Sequence, residues 1–286
     1  MPAAPYFPPG LRWVGRLRRM RIMEPIDSIG FALGFSWQVL SSVPYTLRRY
    51  RRQTMVVITD MTWGRGSVII GGGVVPLMLL LGAAMGASIG IEAYSALNLL
   101  SMGQLSGLIS AFGITRELAP IAAGVGFAAQ AGCRMTAEIG SMRISEEIDA
   151  LESLGIRSVP FVVTTRVIAG IIAVAPAFVV ALILSYLSCE MIVTVLHGTP
   201  VGTYDHYFDQ FVLSWDVLAA TIKVTIFAVA VVLIHGYQGY FATGGPEGVG
   251  VGSGRAIRAS LVSIIALDMV ATILLWGFQS PITFTG

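Results

Sequence analysis

Residues 161–190 read FVVTTRVIAGIIAVAPAFVVALILSYLSCE, and this stretch decides the class of fold. It carries only two charged side chains, Arg166 and Glu190. A bilayer core of about 30 Å is crossed by roughly 20 predominantly apolar residues of helix. The stretch is long enough and apolar enough to be a transmembrane helix, so the sequence predicts an integral membrane protein.

The composition of the whole chain points the same way. Of its 286 residues, 55% are hydrophobic and only 12% are charged. A soluble domain usually carries about a quarter charged residues, so this chain has half the usual supply of solvating groups. Its two cysteines, Cys133 and Cys189, lie far apart in apolar segments and predict neither a disulfide framework nor a metal site.

Four further stretches are long and apolar enough to span a bilayer: 66–91, 118–140, 215–240 and 256–279. With residues 161–190 they predict an all-α integral membrane fold of five transmembrane helices. Residues 93–114 are apolar but contain Ser, Asn and Gln. We expect a re-entrant or interfacial piece there, with Pro120 as a helix start or kink.

The arginines predict the orientation of these helices. Half of the 18 basic residues precede position 53, which places the N-terminus in the cytoplasm. Arginines also flank residues 145–155 and the glycine-rich turn at 243–254, so both are expected on the cytoplasmic side. Residues 191–214 then form an outer loop and the C-terminus lies outside. The sequence therefore predicts a multi-pass protein of the cytoplasmic (inner) membrane.

Residues 1–60 are predicted to form a cytoplasmic N-terminal segment. The opening residues, MPAAPYFPPG, lack the basic-then-apolar layout of a secretory signal peptide. Within 26–48, apolar residues recur at near-helical spacing: Ile26, Ile29, Leu33, Trp37, Leu40 and Leu47. Basic residues bracket this stretch, which favours a helix lying in the cytoplasmic interface. A loosely ordered tail is the alternative.

Residues 145–155 read SEEIDALESLG, an acidic stretch between two predicted spans. An apolar stripe at helical spacing consists of Ile144, Ile148 and Leu151. Glu146 and Glu147 fall in the expected first turn, and Gly155 is placed to end the helix. The pattern predicts a short amphipathic helix over 144–155. Its acids either dock a soluble protein with a basic groove or are simply solvated.

Two runs of sequence resemble a known family. RELAPIAAGVGFAAQAGCRMTAEIGSMRISEEIDALESLGIRSVPFVVTTRVIAG, from residue 116, resembles the central signature of the MlaE/YrbE family of ABC-transporter permeases. HGYQGYFATGGPEGVGVGSGRAIRAS, from residue 235, is similar to its second signature. The residues of these two runs are most similar to those of the YrbE branch, which is associated with MCE-domain proteins in actinobacteria. By this resemblance, residues 61–286 form the permease domain.

The resemblance implies the permease subunit of an ATP-driven transporter of hydrophobic lipids, such as a phospholipid, fatty acid or sterol. It implies a dimer with a second YrbE-type permease, a heterodimer being expected and a homodimer the alternative. The expected partners are two copies of a cytoplasmic ABC ATPase and MCE-domain proteins, with no nucleic acid. ATP and Mg would be bound by the ATPase, so this chain would carry no cofactor and would not be an enzyme.

In that family the acidic loop helix would be a coupling helix seated in a groove of the ATPase. The residues expected to make this contact are Glu146, Glu147, Ile148, Asp149, Leu151 and Glu152. In this role Ile148 and Leu151 would act as apolar anchors. Glu247, in the glycine-rich turn, would be a further contact. That turn lacks the GKS or GKT ending of a phosphate-binding loop.

Two groups of polar residues lie inside the predicted spans. Gln130, Arg134 and Glu138 share one helix face at i, i+4 and i+8, and predict either a hinge network or a static packing pair. The resemblance places the family's arginine at Gln130, one turn earlier than Arg134. A charge in the hydrocarbon region is costly, so both groups need partners.

The second group is centred on Lys223 and Asp268, which lie at comparable depth in the fourth and fifth predicted spans. Their opposite charges predict a buried pair that Arg116 and Glu117 join. The group would either bind a lipid headgroup or brace the outer half of the fold. A proton-coupled secondary transporter using Glu117, Lys223 and Asp268 is the main alternative function. A non-transporting membrane anchor for MCE proteins is the other.

Gly82, Gly86 and Gly90 form a small-residue ridge on the first predicted span, suited to close helix contact within the chain or across a dimer. The three histidines show no metal-ligand spacing, and no nucleophile constellation is visible. The sequence thus predicts neither a metal site nor catalytic residues on this chain.

Overall fold

The computed structural model describes residues 24–64 and 72–277, with side chains from residue 30 onward in the first helix. Within these residues the chain is 89% helical and has no β-strand, which confirms the all-α prediction. The arginines before residue 22, the predicted start of the first span at 66–71, and residues 278–286 lie outside the described residues. The described helices, numbered along the chain, are α1 Glu24–Ser41, α2 Val43–Arg49, α3 Arg51–Trp63, α4 Val74–Asn98, α5 Gly103–Ile144, α6 Glu147–Ser153, α7 Pro160–Leu196, α8 Val201–Phe211, α9 Ser214–Tyr240 and α10 Gly245–Trp276.

Five of these helices are long and apolar enough to cross a membrane: α4, α5, α7, α9 and α10. This confirms the five predicted spans. Helices α4 and α7 run in the same direction, because Gly82, Gly86 and Gly90 meet the backbone of residues 181, 185 and 189 in turn. The loop helix α6 therefore lies at the end of the bundle where α4 begins, and α8 lies at the opposite end.

The prediction of a re-entrant or interfacial piece at 93–114 is wrong. Residues 93–98 complete α4, and residues from 103 onward belong to α5, which runs for 42 residues. Two of the polar residues that suggested an interface, Ser106 and Ser110, are fully buried. Gly107 lies so close to α8 that an added Cβ would be 2.4 Å from the Tyr204 carbonyl oxygen. Ser106 and Ser110 are therefore covered by protein within a continuous helix, whereas Ser95, Asn98, Ser101 and Gln104, around the turn between α4 and α5, are exposed.

Pro120 neither starts nor ends α5. The residues before it, Ser110–Leu118, are wound as a π-helix, and the α-helix resumes at Ala119. Proline has no N–H to donate and its ring crowds the preceding turn, so a local widening of the helix accommodates it. The helix passes through this position without a break in its hydrogen-bonded winding.

The glycine ridge of α4 makes its close contact within the chain. A Cβ atom on Gly86 would lie 2.0 Å from the carbonyl oxygen of Ser185, and one on Gly82 would lie 2.4 Å from that of Ala181. Only hydrogen at these positions permits α4 and α7 to pack backbone to backbone. Of the two alternatives left open by the sequence, the intramolecular contact is the one present.

The glycine-rich segment is mostly helix rather than a turn, which corrects the prediction for 243–254. The turn is confined to the residues just after α9, where Gly244 and Gly245 have φ of 89° and 68°. Pro246 then lies in the first turn of α10. Backbone N–H groups in the first turn have no acceptor within the helix, so a proline there costs no hydrogen bond. Gly140 of α5 packs directly on Val249, so the small residues here serve close helix packing.

The predicted single helix over 26–48 is two helices, α1 and α2, because Pro44 begins a new helix at α2. Helix α3 was not predicted. Phe35 and Val39 bury one face of α1 against the core. Leu33 and Trp37, on the opposite face, are 65% and 75% exposed. The apolar stripe is present as predicted, and its position in the membrane interface stays a prediction.

Candidate functional site

The loop helix α6 is bounded by two left-handed residues. Glu146 precedes the helix with φ of 61°, so it is not in the first turn as predicted, whereas Glu147 is. At the other end Gly155 has φ of 75°, and its N–H bonds the carbonyl of Glu152. The N–H of Ile156 bonds the carbonyl of Leu151, which completes a Schellman motif. The predicted role of Gly155 as the helix stop is confirmed.

The inner face of α6 is attached to the permease itself. Ile148 is completely buried in the core, and Leu151 packs against it. Glu152 accepts hydrogen bonds from the hydroxyls of Ser158 and Tyr240, which themselves lie 2.6 Å apart. These contacts connect α6 to the start of α7 and the end of α9, so a displacement of α6 is transmitted directly to two spans.

The outer face of α6 presents acids and one large apolar side chain. Glu146, Glu147 and Asp149 are exposed. Leu154 is 76% exposed. Asp149 pairs with Arg143 at 2.7 Å, an exposed contact that contributes little to stability. The loop helix therefore offers exposed acids at its start and the exposed Leu154 just after its end.

The contact residues predicted from the resemblance thus divide into two groups. Ile148, Leu151 and Glu152 face the permease, which corrects the expectation that the first two project outward as anchors. Of the predicted stripe, Ile148 and Leu151 pack into the chain's own core. Ile144 is 39% exposed and ends α5, because the loop helix covers only Glu147–Ser153 rather than 144–155. Leu154 is the apolar side chain left for a partner, and the sequence reasoning missed it. Glu247, in the first turn of α10, is exposed and remains available.

Inside the bundle, Lys223 is fully buried and surrounded by oxygen atoms. Its Nζ donates to the carbonyl of Arg116 at 2.8 Å, to Glu117 Oε2 at 3.1 Å and to Thr272 Oγ1 at 2.8 Å. It also pairs with Asp268 Oδ1 at 2.7 Å. The structure therefore contains the predicted Lys223–Asp268 pair, with Glu117 joined to it. Thr272 donates in turn to Glu117 Oε1 at 2.8 Å.

Arg116 has a different partner from the one predicted. Its guanidinium pairs with Asp216 through two nitrogens at 2.9 and 2.8 Å, and both residues are buried. Trp276 donates its indole N–H to the other oxygen of Asp216 at 2.7 Å. The guanidinium carbon also lies 4.1 Å from the centre of the Phe112 ring. The buried charges of Arg116 and Asp216 therefore compensate each other inside the bundle.

A second charged cluster joins α3, α5 and α7. Arg134 bonds Glu138 at 2.9 Å and Asp60 at 2.7 Å, and Arg166 reaches Glu138 at 3.3 Å. Gln130 donates to the carbonyl of Gly72, just before α4, at 2.7 Å. The face shared by Gln130, Arg134 and Glu138 therefore connects four segments rather than forming an isolated pair. Whether it also acts as a hinge stays a prediction.

Sequence reasoning missed several members of these clusters: Asp60, Ser158, Arg166, Asp216, Tyr240, Thr272 and Trp276. Two of them could have been identified from the sequence. Arg166 and Asp216 are charged residues inside predicted spans, and each such charge needs a partner. Within residues 24–64 and 72–277, no three His, Cys, Asp or Glu side chains are grouped as metal ligands.

Five apolar spans, buried charge pairs and an acidic loop helix attached to two spans describe an integral membrane protein. Comparison with protein families matches residues 64–274 to the family described as Permease MlaE, and the chain belongs to that family. This confirms the resemblance to MlaE-type ABC permeases.

Three relatives illustrate the family's range. The chain is 27% identical to a probable ABC transporter permease of Rickettsia typhi, over 87% of this chain and 93% of that protein. It is 27% identical to the intermembrane phospholipid transport system permease protein MlaE of Haemophilus influenzae, over 70% and 77%. It is also 27% identical to the chloroplastic protein TRIGALACTOSYLDIACYLGLYCEROL 1 of Arabidopsis thaliana, over 67% and 55%.

Proposed function

We propose that this chain is the membrane-spanning subunit of an ATP-driven lipid transporter and that α6 is the contact through which a cytoplasmic ATPase drives it. The observation that carries the proposal is the two-sided construction of α6. One face is anchored to the bundle through Ile148 and the Glu152–Ser158–Tyr240 hydrogen bonds. The other face presents exposed acids, and Leu154 is exposed just after the helix.

The anchored face makes α6 suitable for force transmission. Glu152, Ser158 and Tyr240 connect the helix to the first residues of α7 and the last residues of α9. A partner that pulls or tilts α6 moves both spans, because packed helices shift as rigid bodies rather than deform continuously. A solvated loop helix has no need of such attachments.

The exposed face is suited to a partner with a basic groove. Acidic rims steer association with a positively charged surface, and a single apolar side chain supplies a buried anchor. Two copies of an ABC ATPase, each bound to one α6 of a permease dimer, fit this arrangement. The ATPase would hold ATP and Mg, and the permease chain would contribute no catalytic residue.

The lipid cargo is supported by the relatives and by the character of the spans. The Haemophilus relative is named for intermembrane phospholipid transport. The buried charges Arg116, Asp216, Lys223 and Asp268 are paired, so they leave no continuous charged lining suited to an ion or sugar. We propose a phospholipid, fatty acid or sterol as cargo, MCE-domain proteins as extracytoplasmic partners, and a related YrbE-type permease as the second half of a heterodimer.

The proposal is tested by co-purification of this chain with its candidate ATPase. Charge reversal of the outer face by Glu147→Lys with Asp149→Lys is expected to release the ATPase while leaving the permease folded, since both side chains are exposed. The matched control is Glu92→Lys with Asp209→Lys, two exposed acids at the opposite end of the bundle. This control should retain the ATPase. Equal retention by both variants would refute docking through the acids of α6.

A second variant examines the apolar side chain. Leu154→Asp places a charge at the position proposed to be buried against the ATPase and should reduce retained ATPase at least as far as the charge reversal does. Ile144→Asp is the control, because Ile144 is only 39% exposed and precedes the helix. If the ATPase instead tolerates Leu154→Asp, the contact is made elsewhere on the loop.

A further inference from the structure

A basic and apolar surface covers the junction of α1, α2 and α3, outside the sites described so far. The chain carries no charged residue from position 28 to position 47 and then four arginines within five positions: Arg48, Arg49, Arg51 and Arg52. All four are exposed. Together with the exposed apolar residues of α1 they form a surface called here the arginine elbow.

The arginine elbow carries uncompensated positive charge. Among the described residues, none of its four arginines forms an ion pair with a carboxylate. Arg51 bonds only the backbone carbonyl of Leu47, at 2.9 Å. Burial, followed by a hydrogen bond with Tyr45, raises the pKa of Tyr50, so this phenol stays neutral at pH 7 and provides no counter-charge.

The apolar part of the surface is unusual for a face in contact with water. Leu33, Trp37 and Leu40 lie on one face of α1 and are 65%, 75% and 40% exposed. On α3, Met55 and Trp63 are each 65% exposed. Side chains of this kind beside arginines match the headgroup level of a bilayer, where tryptophan and arginine side chains are enriched.

We propose that the arginine elbow is a binding surface for anionic phospholipid headgroups. The apolar stripe of α1 enters the acyl boundary of the leaflet, and the arginines are then held at the depth of the phosphates. A guanidinium meets a phosphate with two parallel hydrogen bonds, and an anionic headgroup keeps a net negative charge that a zwitterionic headgroup lacks. The uncompensated charge selects anionic over zwitterionic lipid.

The arginine elbow also contacts the segment that follows α6, through residues of α2 and the adjoining Tyr50. Thr46 of α2, fully buried, donates to the carbonyl of Pro160 at 3.4 Å. The Arg157 guanidinium lies 4.9 Å from the centre of the Tyr45 ring. Tyr50 packs edge-on against Phe161 with ring centres 5.3 Å apart. Holding α2 at the headgroups therefore fixes the start of α7, and this consequence for transport rests on the proposed function.

The binding itself is tested without any ATPase. The full chain is reconstituted in vesicles of phosphatidylcholine and phosphatidylglycerol, and spin-labelled versions of each lipid report the preference of the protein for phosphatidylglycerol. We expect a preference that weakens as salt is added. Arg48→Gln with Arg49→Gln should reduce it at least about five-fold, since one arginine near an anionic surface contributes about 1 kcal/mol.

Two controls separate this charge effect from misfolding and from general basicity. Arg255→Gln with Arg258→Gln removes two exposed arginines from α10 and should leave the preference unchanged. Arg48→Lys with Arg49→Lys keeps the charge and should keep most of the preference. The proposal is overturned if the glutamine pair at 48 and 49 behaves like wild type, if the α10 pair loses as much, or if the lysine pair loses as much.

Discussion

Substituting Lys223 by Met removes the charge at the centre of the outer network while retaining most of the side chain's length. Lys223 has no exposed surface, and its ammonium contacts four oxygen atoms, which belong to Arg116, Glu117, Thr272 and Asp268. The substitution leaves two carboxylates facing each other across the space that the ammonium had filled. Both the unpaired charge and their mutual repulsion destabilise the folded state.

The magnitude follows from the burial of the pair. Removing one partner of a buried ion pair costs roughly 3–5 kcal/mol, because the remaining charge stays desolvated. Replacing both partners by neutral groups of similar shape is often close to neutral. Asp268→Asn added to Lys223→Met should therefore recover much of the loss, and the double variant should be more stable than the sum of the single effects by at least about 1 kcal/mol.

The assay is unfolding of the purified chain in mixed micelles by titration with dodecyl sulfate, followed by circular dichroism. Wild type, both single variants and the double variant complete a double-mutant cycle. A Lys223→Met variant within about 1 kcal/mol of wild type, or single effects that simply add, would refute the account of a buried compensating charge network.

Two further variants examine packing and hydrogen bonding in the bundle. Gly86→Ala should destabilise the chain strongly, because the added Cβ would lie 2.0 Å from the Ser185 carbonyl oxygen. The control is Gly34→Ala, whose added Cβ would have no atom within 4 Å and should not destabilise the chain. Equal unfolding midpoints for the two variants would contradict the close contact. Trp276→Phe removes the indole donor to Asp216 and should cost about 1.5–3 kcal/mol in the same titration, as expected for a hydrogen bond to a charged group. An unchanged midpoint for this variant would show that the bond contributes nothing.

Much of the fold is predictable because the bilayer simplifies the problem. An apolar stretch of sufficient length has to be a helix, since its backbone groups find no other partners in hydrocarbon. This is why all five spans and the Lys223–Asp268 pair were found from the sequence. In the pair, opposite charges at comparable depth had only each other and nearby polar groups to meet.

Two of the errors share one physical cause, which is that sequence does not show which side chains are covered by the chain's own helices. Ser106 and Ser110 suggested an interfacial segment, but α8 and α7 cover them and α5 continues. For the same reason the stripe containing Ile148 was assigned to a partner, although the chain's own core buries it. The role of Leu154 appears only when the positions of the helix faces are known.

The pairing of Arg116 with Asp216 shows a second limit. Residue spacing gave Lys223 and Asp268 comparable depths, but it did not show which charge Arg116 would face around the bundle axis. Trp276 and Asp216 meet Arg116 because α5, α9 and α10 converge at this end of the fold. Such convergence depends on helix packing angles, which local sequence does not specify.

Transport itself provides the most direct test of the central claim. The chain is reconstituted with its candidate ATPase and partner permease in vesicles, and movement of a fluorescent phospholipid is followed with ATP, with a non-hydrolysable ATP analogue, and with an uncoupler that dissipates the proton gradient. The account predicts movement that requires hydrolysable ATP, is unaffected by the uncoupler and is lost with Glu147→Lys plus Asp149→Lys. Movement that continues without ATP and stops with the uncoupler would contradict it and identify a proton-coupled transporter.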